Sequence, residues 1–158
     1  MRRIFVFNWL RGAALAGLLT LLVVTVNPAF AVLGENQASV NSDQARLKAS
    51  VRSIRHQFYS VQEMQTPSGT TVRQFISPEG VVFGVTWQGA APNLEQLLGA
   101  YFDSFEASSN RQRSPRGRGI HIDDGDLVVD TGGHMRFVVG RAFLRSKMPP
   151  QVTDDDIR

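Results

Sequence analysis

The chain has 158 residues, of which 42% are hydrophobic, 20% are charged and none is cysteine. This length suits one domain, and the lack of thiols excludes disulfides, thiol catalysis and cysteine-ligated zinc. The 17 Lys and Arg residues outnumber the 14 Asp and Glu residues, but three of the basic residues lie within the first 31 positions. The rest of the chain is therefore formally neutral, and its charge gives no reason to expect nucleic-acid binding.

Residues 1–31 have the three parts of a secretory signal peptide. Arg2 and Arg3 supply a positive start, residues 13–26 form an uncharged apolar run, and Ala29-Phe30-Ala31 offers small residues before a cleavage point. The apolar run is shorter than the roughly 20 residues that a membrane-spanning helix needs. We therefore expect cleavage after this segment, export to the periplasm or the extracellular space, and no transmembrane segment in the exported chain.

The first part of the exported chain, residues 32–57, is predicted as an extended segment followed by a short helix. Ser42 or Asp43 could cap that helix. Its apolar positions recur at i, i+4, i+7 and i+11, the spacing of one helical face. They are Leu47, Val51, Ile54 and Phe58.

The core domain is predicted over residues 58–145, and it opens with a three-stranded antiparallel meander. The strands are expected within residues 58–64, 70–77 and 81–87. Turn signals rich in Pro and Gly separate them at residues 66–69 and 78–80. In the third strand Val81, Phe83, Val85 and Trp87 occupy alternate positions, so we expect these four residues on one face and Trp87 in the core.

A strongly amphipathic helix is predicted over residues 93–107. Its apolar residues follow helical spacing, and they are Leu94, Leu97, Leu98, Tyr101, Phe102 and Phe105. Gly99 lies inside this helix, where glycine costs about 1 kcal/mol relative to alanine. A close approach of the helix to the sheet would explain the glycine.

Residues 108–119 are polar and contain four arginines, Arg111, Arg113, Arg116 and Arg118. Such a segment could bind the phosphate of a lipid headgroup or the anionic groups of a polysaccharide. A solvated, flexible loop explains the same composition.

A second meander is expected after this loop. With turns at Asp124-Gly125 and at residues 131–133, Asp123 would face Asp126, and Asp130 would face His134. One face would then pack on the helix, and it carries Ile120, Ile122, Leu127, Val129, Met135 and Phe137. The opposite face carries His121, Asp123, Asp126, Asp130, His134 and Arg136.

The polar face of this meander holds the candidate chemistry. Two facing carboxylates, Asp123 and Asp126, with His121 nearby, could bind a cation such as Ca²⁺. Asp130 beside His134 could orient an imidazole for general-base catalysis or metal binding. The alternative is an ordinary solvated sheet face with aspartates at its turns.

These elements predict an α+β fold of two layers. An antiparallel sheet of five or six strands, in the order βββ-α-βββ, would pack on one long amphipathic helix, with the short N-terminal helix beside it. Residues 146–158 are predicted to form a flexible tail.

Several segments together resemble a bacterial family of small exported proteins with a domain of unknown function. The matching segments are Pro67-Ser68-Gly69-Thr70, the strand at 81–87, Leu94-x-x-Leu97-Leu98-Gly99-x-Tyr101-Phe102, Gly125-Asp126-Leu127-Val128-Val129 and Gly133-His134-Met135-Arg136. The resemblance spans about residues 32–145. It implies a protein of the Gram-negative envelope, and it implies no activity and no catalytic residue.

The sequence contains no H-E-x-x-H, G-x-S-x-G or P-loop motif. We therefore expect a non-catalytic envelope module without a cofactor, whose partner is an envelope protein or an anionic surface component. One alternative is a peripheral membrane-surface or anionic-glycan binder that acts through residues 111–118. The other is a hydrolase or metal-binding protein that uses His134 with Asp130 and the Asp123–Asp126 cluster.

Overall fold

The computed structural model describes residues 32–36, 52–66, 68–111, 119–134 and 136–158. Seven strands are formed by Arg52–Arg55 (β1), Ser60–Gln65 (β2), Thr71–Ile76 (β3), Val82–Gly89 (β4), Ile120–Asp124 (β5), Leu127–His134 (β6) and Phe137–Leu144 (β7). They make one antiparallel sheet in the order β1-β2-β3-β4-β7-β6-β5. The helical segment between β4 and β5 comprises Leu94–Leu98 (α1), a 3₁₀ turn at Gly99–Tyr101 and Phe102–Arg111 (α2). The α+β class is confirmed, but the sheet has more strands than the five or six predicted.

The first predicted meander is present as β2, β3 and β4. A β-bulge lies where β3 meets β4, because Phe75 pairs with Gly84 while Ile76 pairs with Val82. The extra residue, Phe83, therefore turns to the opposite face from Val85. The predicted alternation is correct for Val85 and Trp87 and wrong for Phe83.

The predicted N-terminal helix is wrong at its carboxyl end, because Arg52–Arg55 is an edge strand paired with β2. Ile54 and Phe58 are each 37% exposed, so no buried apolar stripe favours a helix there. Pairing of β1 with β2 instead gives hydrogen-bond partners to backbone N–H and C=O groups along this edge of β2, which would otherwise have none in the sheet. The predicted cap at Ser42 or Asp43, Leu47 and Val51 lie outside the described residues.

The long helix begins as predicted, where the Asn93 side chain accepts a hydrogen bond from the Gln96 N–H at 3.1 Å. Gly99 interrupts it with a φ of 51°, a conformation that favours glycine. A Cβ on Gly99 would overlap the side chain of Val32. The close neighbour of this glycine is thus the N-terminal segment, not the sheet as predicted.

The N-terminal segment 32–36 is held against both the helix and the sheet. The Leu33 N–H donates to the carbonyl of Leu97 at 3.2 Å, and the Gly34 N–H donates to that of Val82 at 2.8 Å. The Leu33 side chain is buried in the main core. These five residues therefore complete the layer that the helix places on the sheet.

The sheet has two different faces. The helix face is covered by α1, α2 and Leu33, and its buried residues include Val72, Val85, Trp87, Leu97, Leu98, Ile122, Val129 and Leu144. The outer face has a smaller apolar cluster formed by Val61, Phe75, Phe83, Val128, Phe143, Val152 and Ile157. Val152 and Ile157 come from residues 146–158, which the sequence predicts as a flexible tail. They pack on the sheet, and Ile157 lies over Gly84.

The turn between β5 and β6 lies one residue later than predicted. Asp124 pairs with Leu127, so Gly125 and Asp126 form the turn, with Gly125 at a φ of 64°. A glycine at the first turn position suits a tight hairpin. This shift moves the pairing by two residues and keeps each side chain on its predicted face, so the burial of Ile122 and Leu127 is confirmed.

The turn between β6 and β7 is not at residues 131–133. Those residues continue β6, and His134 pairs with Phe137. The longer pairing of β6 with β7 gives hydrogen bonds to more backbone N–H and C=O groups, and it places Leu127 opposite Leu144. It also moves Phe137 to the outer face, where it is 41% exposed, so its predicted packing on the helix is wrong. Met135 lies outside the described residues.

Candidate functional site

Six side chains form a row across the outer face, one from each of the neighbouring strands β2, β3, β4, β7, β6 and β5. The row runs in the order Glu63, Arg73, Thr86, Arg141, Asp130 and His121. Because side chains alternate between the faces of a strand, cross-strand neighbours share a face. We call these residues the charged row.

Asp130 is the most connected member of the charged row. One carboxylate oxygen lies 2.5 Å from Nδ1 of His121, and the other accepts a hydrogen bond from Nε of Arg141 at 2.8 Å. Partial burial opposes ionisation of Asp130, but the hydrogen bonds from His121 and Arg141 outweigh it and lower the pKa of this carboxyl. Arg141 also donates to the carbonyl of Asp154 at 2.7 Å, which ties the row to the C-terminal segment.

The predicted pair of Asp130 and His134 is wrong. His134 lies opposite Phe137, and the centres of the two rings are 6.2 Å apart. The imidazole beside Asp130 belongs to His121, which was predicted on the correct face but not as the partner of Asp130. The error follows directly from the predicted turn positions, since cross-strand partners depend on register.

The predicted facing pair of Asp123 and Asp126 is also wrong. Both oxygens of Asp123 accept hydrogen bonds from Arg145, at 2.6 and 2.8 Å. This contact lowers the pKa of Asp123 and raises the pKa of Arg145. Asp126 accepts hydrogen bonds from the backbone N–H of Ser146 at 2.6 Å and from its hydroxyl at 2.9 Å.

Asp123 and Asp126 of this hairpin therefore both accept hydrogen bonds from residues that follow β7. Across the described ranges, no group of three or more His, Asp or Glu side chains is placed to hold a metal ion. Arg145 and Ser146 were not predicted as part of the site, because Arg145 lies at the end of the predicted core domain and Ser146 lies in the segment predicted as a flexible tail. Only the path of the chain after β7 brings them to the turn.

A groove of about 710 Å³ lies along the charged row on the outer face. Its lining includes Thr71, Arg73, Gln88, Asp130, Gly132 and Arg141. Val139 also lines it and is 42% exposed. The C-terminal residues Ile157 and Arg158 also belong to the lining. No single motif marks this groove, since its residues come from five strands and the C-terminus.

Two glycines that line the groove, Gly140 and Gly132, differ in whether the surrounding packing leaves room for a side chain. A Cβ on Gly140 would overlap the indole ring of Trp87, so packing on the helix face requires glycine there. A Cβ on Gly132 would meet only the Cα of Gly119, at an ordinary contact distance of 3.8 Å. Glycine inside a strand costs about 0.5–1 kcal/mol relative to alanine. Gly132 therefore leaves open space on the groove side without any packing need for it.

Of the four arginines predicted to bind anions, the structure describes Arg111. This side chain, at the end of α2, donates to the hydroxyl of Ser108 at 2.8 Å and to the carbonyl of Ala107 at 3.3 Å. Arg113, Arg116 and Arg118 lie outside the described residues. Gly119, which directly follows them in the sequence, lines the groove.

In the described part of the chain, the fold is a small α+β domain with one seven-stranded antiparallel sheet, covered by the helical segment on one face and carrying the groove on the other. The chain belongs to the DUF2844 family, whose members are described as proteins of unknown function, and the family model matches residues 29–157. The match takes in the packed C-terminal segment as well as the sheet. Neither the curated proteins nor the solved structures include a match to this chain. None of the helices in the described part of the chain is both long and apolar enough to cross a membrane.

Proposed function

We propose that this protein is an exported, non-catalytic binding module of the bacterial envelope, and that its ligand occupies the groove on the outer face. Gly132 carries the proposal, because this strand glycine keeps the groove floor open although packing does not require it. A glycine within a strand commonly marks a place where a ligand approaches the backbone closely. Export is supported by the signal-peptide pattern of residues 1–31 and by the resemblance to envelope proteins.

The contacts of His121 favour binding over catalysis. Its only hydrogen-bond partner within the described residues is Asp130. A hydrolase of the Ser-His-Asp type also needs a nucleophile within hydrogen-bond reach of the second ring nitrogen, and no described hydroxyl takes that place. The His121 side chain is 66% exposed, so its free edge can donate to or accept from a ligand in the groove.

The proposal is tested by filling the space above Gly132. Isotope-labelled protein is titrated with fractionated envelope extract, and amide chemical shifts are recorded. We expect shifts at Thr71, Gln88 and Val139, and we expect Gly132→Leu to abolish them while the variant stays folded. Glu106→Leu is the matched control, since it adds the same side chain at an exposed position of α2 outside the groove. Equal shifts in the wild type and in Gly132→Leu would place the ligand elsewhere.

A hydrolase is the second candidate, favoured only by the 2.5 Å contact between His121 and Asp130. That contact could hold the imidazole in position to act as a general base. Chromogenic ester and glycoside substrates test this candidate. Turnover by the wild type that His121→Ala removes would establish an enzyme and overturn the non-catalytic proposal.

A further inference from the structure

We infer that the ligand of the groove is an acidic glycan, a linear saccharide chain that carries carboxylate groups and lies across the strands. This inference rests on the proposed function, since it names the chemistry of the molecule that the groove binds.

The direction of the groove indicates an elongated ligand. Its lining residues lie on β3, β4, β7, β6 and β5, which are five neighbouring strands. At about 4.8 Å between strands, four spacings cover about 19 Å. A peptide cannot join the sheet as an added strand at this place, because β4, β7 and β6 already pair on both sides. The ligand must therefore lie on the face of the sheet and be recognised by side chains.

The charges of the lining favour an anion. Three arginines, Arg73, Arg141 and Arg158, line the groove against one acidic side chain, Asp130. Arg73 and Arg141 stand two strands apart, or about 10 Å. An anionic polymer with regularly spaced charges can contact both, whereas a single small anion reaches only one.

The ion pairs of these arginines prepare them for a ligand. Arg73 uses Nε to bind Glu63 at 2.7 Å, and Arg141 uses Nε to bind Asp130 at 2.8 Å. Within the described contacts, both terminal nitrogens of Arg73 and Nη2 of Arg141 stay available. The guanidinium group of Arg73, held in one plane with two nitrogens available, suits the two oxygens of a carboxylate, because less side-chain freedom is lost on binding. Arg141 can add one hydrogen bond from Nη2.

The remaining lining distinguishes a glycan from a lipid or a peptide. Thr71 and Gln88 offer hydrogen bonds to hydroxyl groups, and the open floor at Gly132 admits a pyranose ring. An acyl chain would need an enclosed apolar cavity, and this groove is open along its length. Proline-rich peptides dock in aromatic grooves, whereas the only aromatic residue in this lining, Trp87, is buried in the helix-face core.

The test compares matched ligands by isothermal titration calorimetry. The probes are oligomers of galacturonic acid and of hyaluronan, and the methyl ester of the galacturonate oligomer is the uncharged control. Poly-glutamate represents an acidic peptide, and vesicles of phosphatidylglycerol represent an anionic lipid. We expect at least one acidic oligosaccharide to bind, and we expect its affinity to fall at least tenfold in Arg73→Gln and on esterification. Arg52→Gln, which changes an exposed arginine of β1 outside the groove, should bind as the wild type does.

Failure of this inference is distinct from failure of the proposed function. If envelope extract shifts the groove signals but both acidic oligosaccharides fail to bind, the glycan is wrong and the binding module stands. Tighter binding to poly-glutamate or to the vesicles, or equal binding to the methyl ester, also overturns the acidic glycan. If neither the extract nor any probe perturbs the groove, both the inference and the proposed function fail.

Discussion

The two faces of the sheet are built from the same strands but have different roles. On the helix face, alternate residues such as Val72, Val85 and Val129 are buried in one continuous core. On the outer face, apolar packing covers only the end beneath Val152 and Ile157, and the charged row and groove occupy the rest. The difference teaches that one set of alternate residues along each strand builds the main core, whereas the other set packs only beneath the C-terminal segment and otherwise lines the groove. Substitutions on the two faces are therefore expected to differ in their effect on stability.

The largest effect is expected from a charge on the helix face. Leu98 is fully buried in the main core, so Leu98→Asp would bury an unpaired carboxylate. We expect a loss of at least about 4 kcal/mol in unfolding free energy, which is most of the stability of a domain at the lower end of the usual range of about 5–15 kcal/mol. Far-UV circular dichroism and thermal melting measure it. A cooperative melt near that of the wild type would contradict the described core.

Removing the C-terminal contact on the outer face should have the next largest effect. Ile157 is fully buried over Gly84, so Ile157→Ala should lose about 2–5 kcal/mol. Urea titration gives the value. Asp155→Ala, at an exposed position two residues earlier, is the control and should have little effect. A loss below half a kilocalorie in Ile157→Ala would mean that this segment does not contribute to the core.

Alanine substitutions at the two groove glycines, Gly140 and Gly132, compare the helix face and the outer face directly. Gly140→Ala should destabilise the domain by about 1–3 kcal/mol, because its methyl group meets the indole ring of Trp87. Gly132→Ala should instead stabilise it by about 0.5–1 kcal/mol, because the position is unstrained and has room. Melting temperatures of the two variants should therefore move in opposite directions. A shift in the same direction would break the assignment of these glycines to packing and to ligand access.

The smallest effect on stability is expected from lowering the pH, and it arises from carboxylates on the outer face and in the C-terminal segment. Hydrogen bonds from Arg145 lower the pKa of Asp123, and those from Thr153 lower the pKa of Asp156. The pKa of Asp130 is lowered as well. A lowered pKa in the folded state stabilises the fold above the unfolded value of about 3.9, and this stability is lost as the pH falls through the lower, folded value. Urea midpoints should therefore decrease below about pH 4, and the decrease should be shallower in Asp130→Asn. A midpoint independent of pH in this range would contradict the hydrogen bonds described.

The first meander and the long helix could be predicted because their signals are local. Turn residues at 66–69 and 78–80 bound the strands, and six apolar residues at helical spacing define one face of the helix. The bulge at Phe83 and the strand at Arg52–Arg55 could not be predicted from the sequence, because each depends on pairing with a neighbouring strand. Apolar spacing alone cannot distinguish an exposed edge strand from a short helix.

The candidate site was predicted by its residue types but not by its contacts. The predicted polar face includes His121, Asp123, Asp126 and Asp130, and all four have hydrogen-bonded partners in the structure. The predicted pair of Asp130 and His134 failed because glycines at 132 and 133 give a turn signal although they continue a strand. The predicted pair of Asp123 and Asp126 failed because the turn between β5 and β6 lies one residue later. Each shifted turn changes the cross-strand partners of the strands that it joins. Arg141 and Arg145 entered the site only through the true register and the path of the chain beyond β7.

The burial of Ile157 has a consequence for the order in which the molecule folds. Val152 and Ile157 follow β7 in the chain, and they cover a sheet whose seven strands all come before them. A ribosome releases them after those strands, so during synthesis the sheet can pair before the outer-face cluster is able to close. Loss of the segment that carries Val152 and Ile157 would remove a contact that covers this end of the sheet.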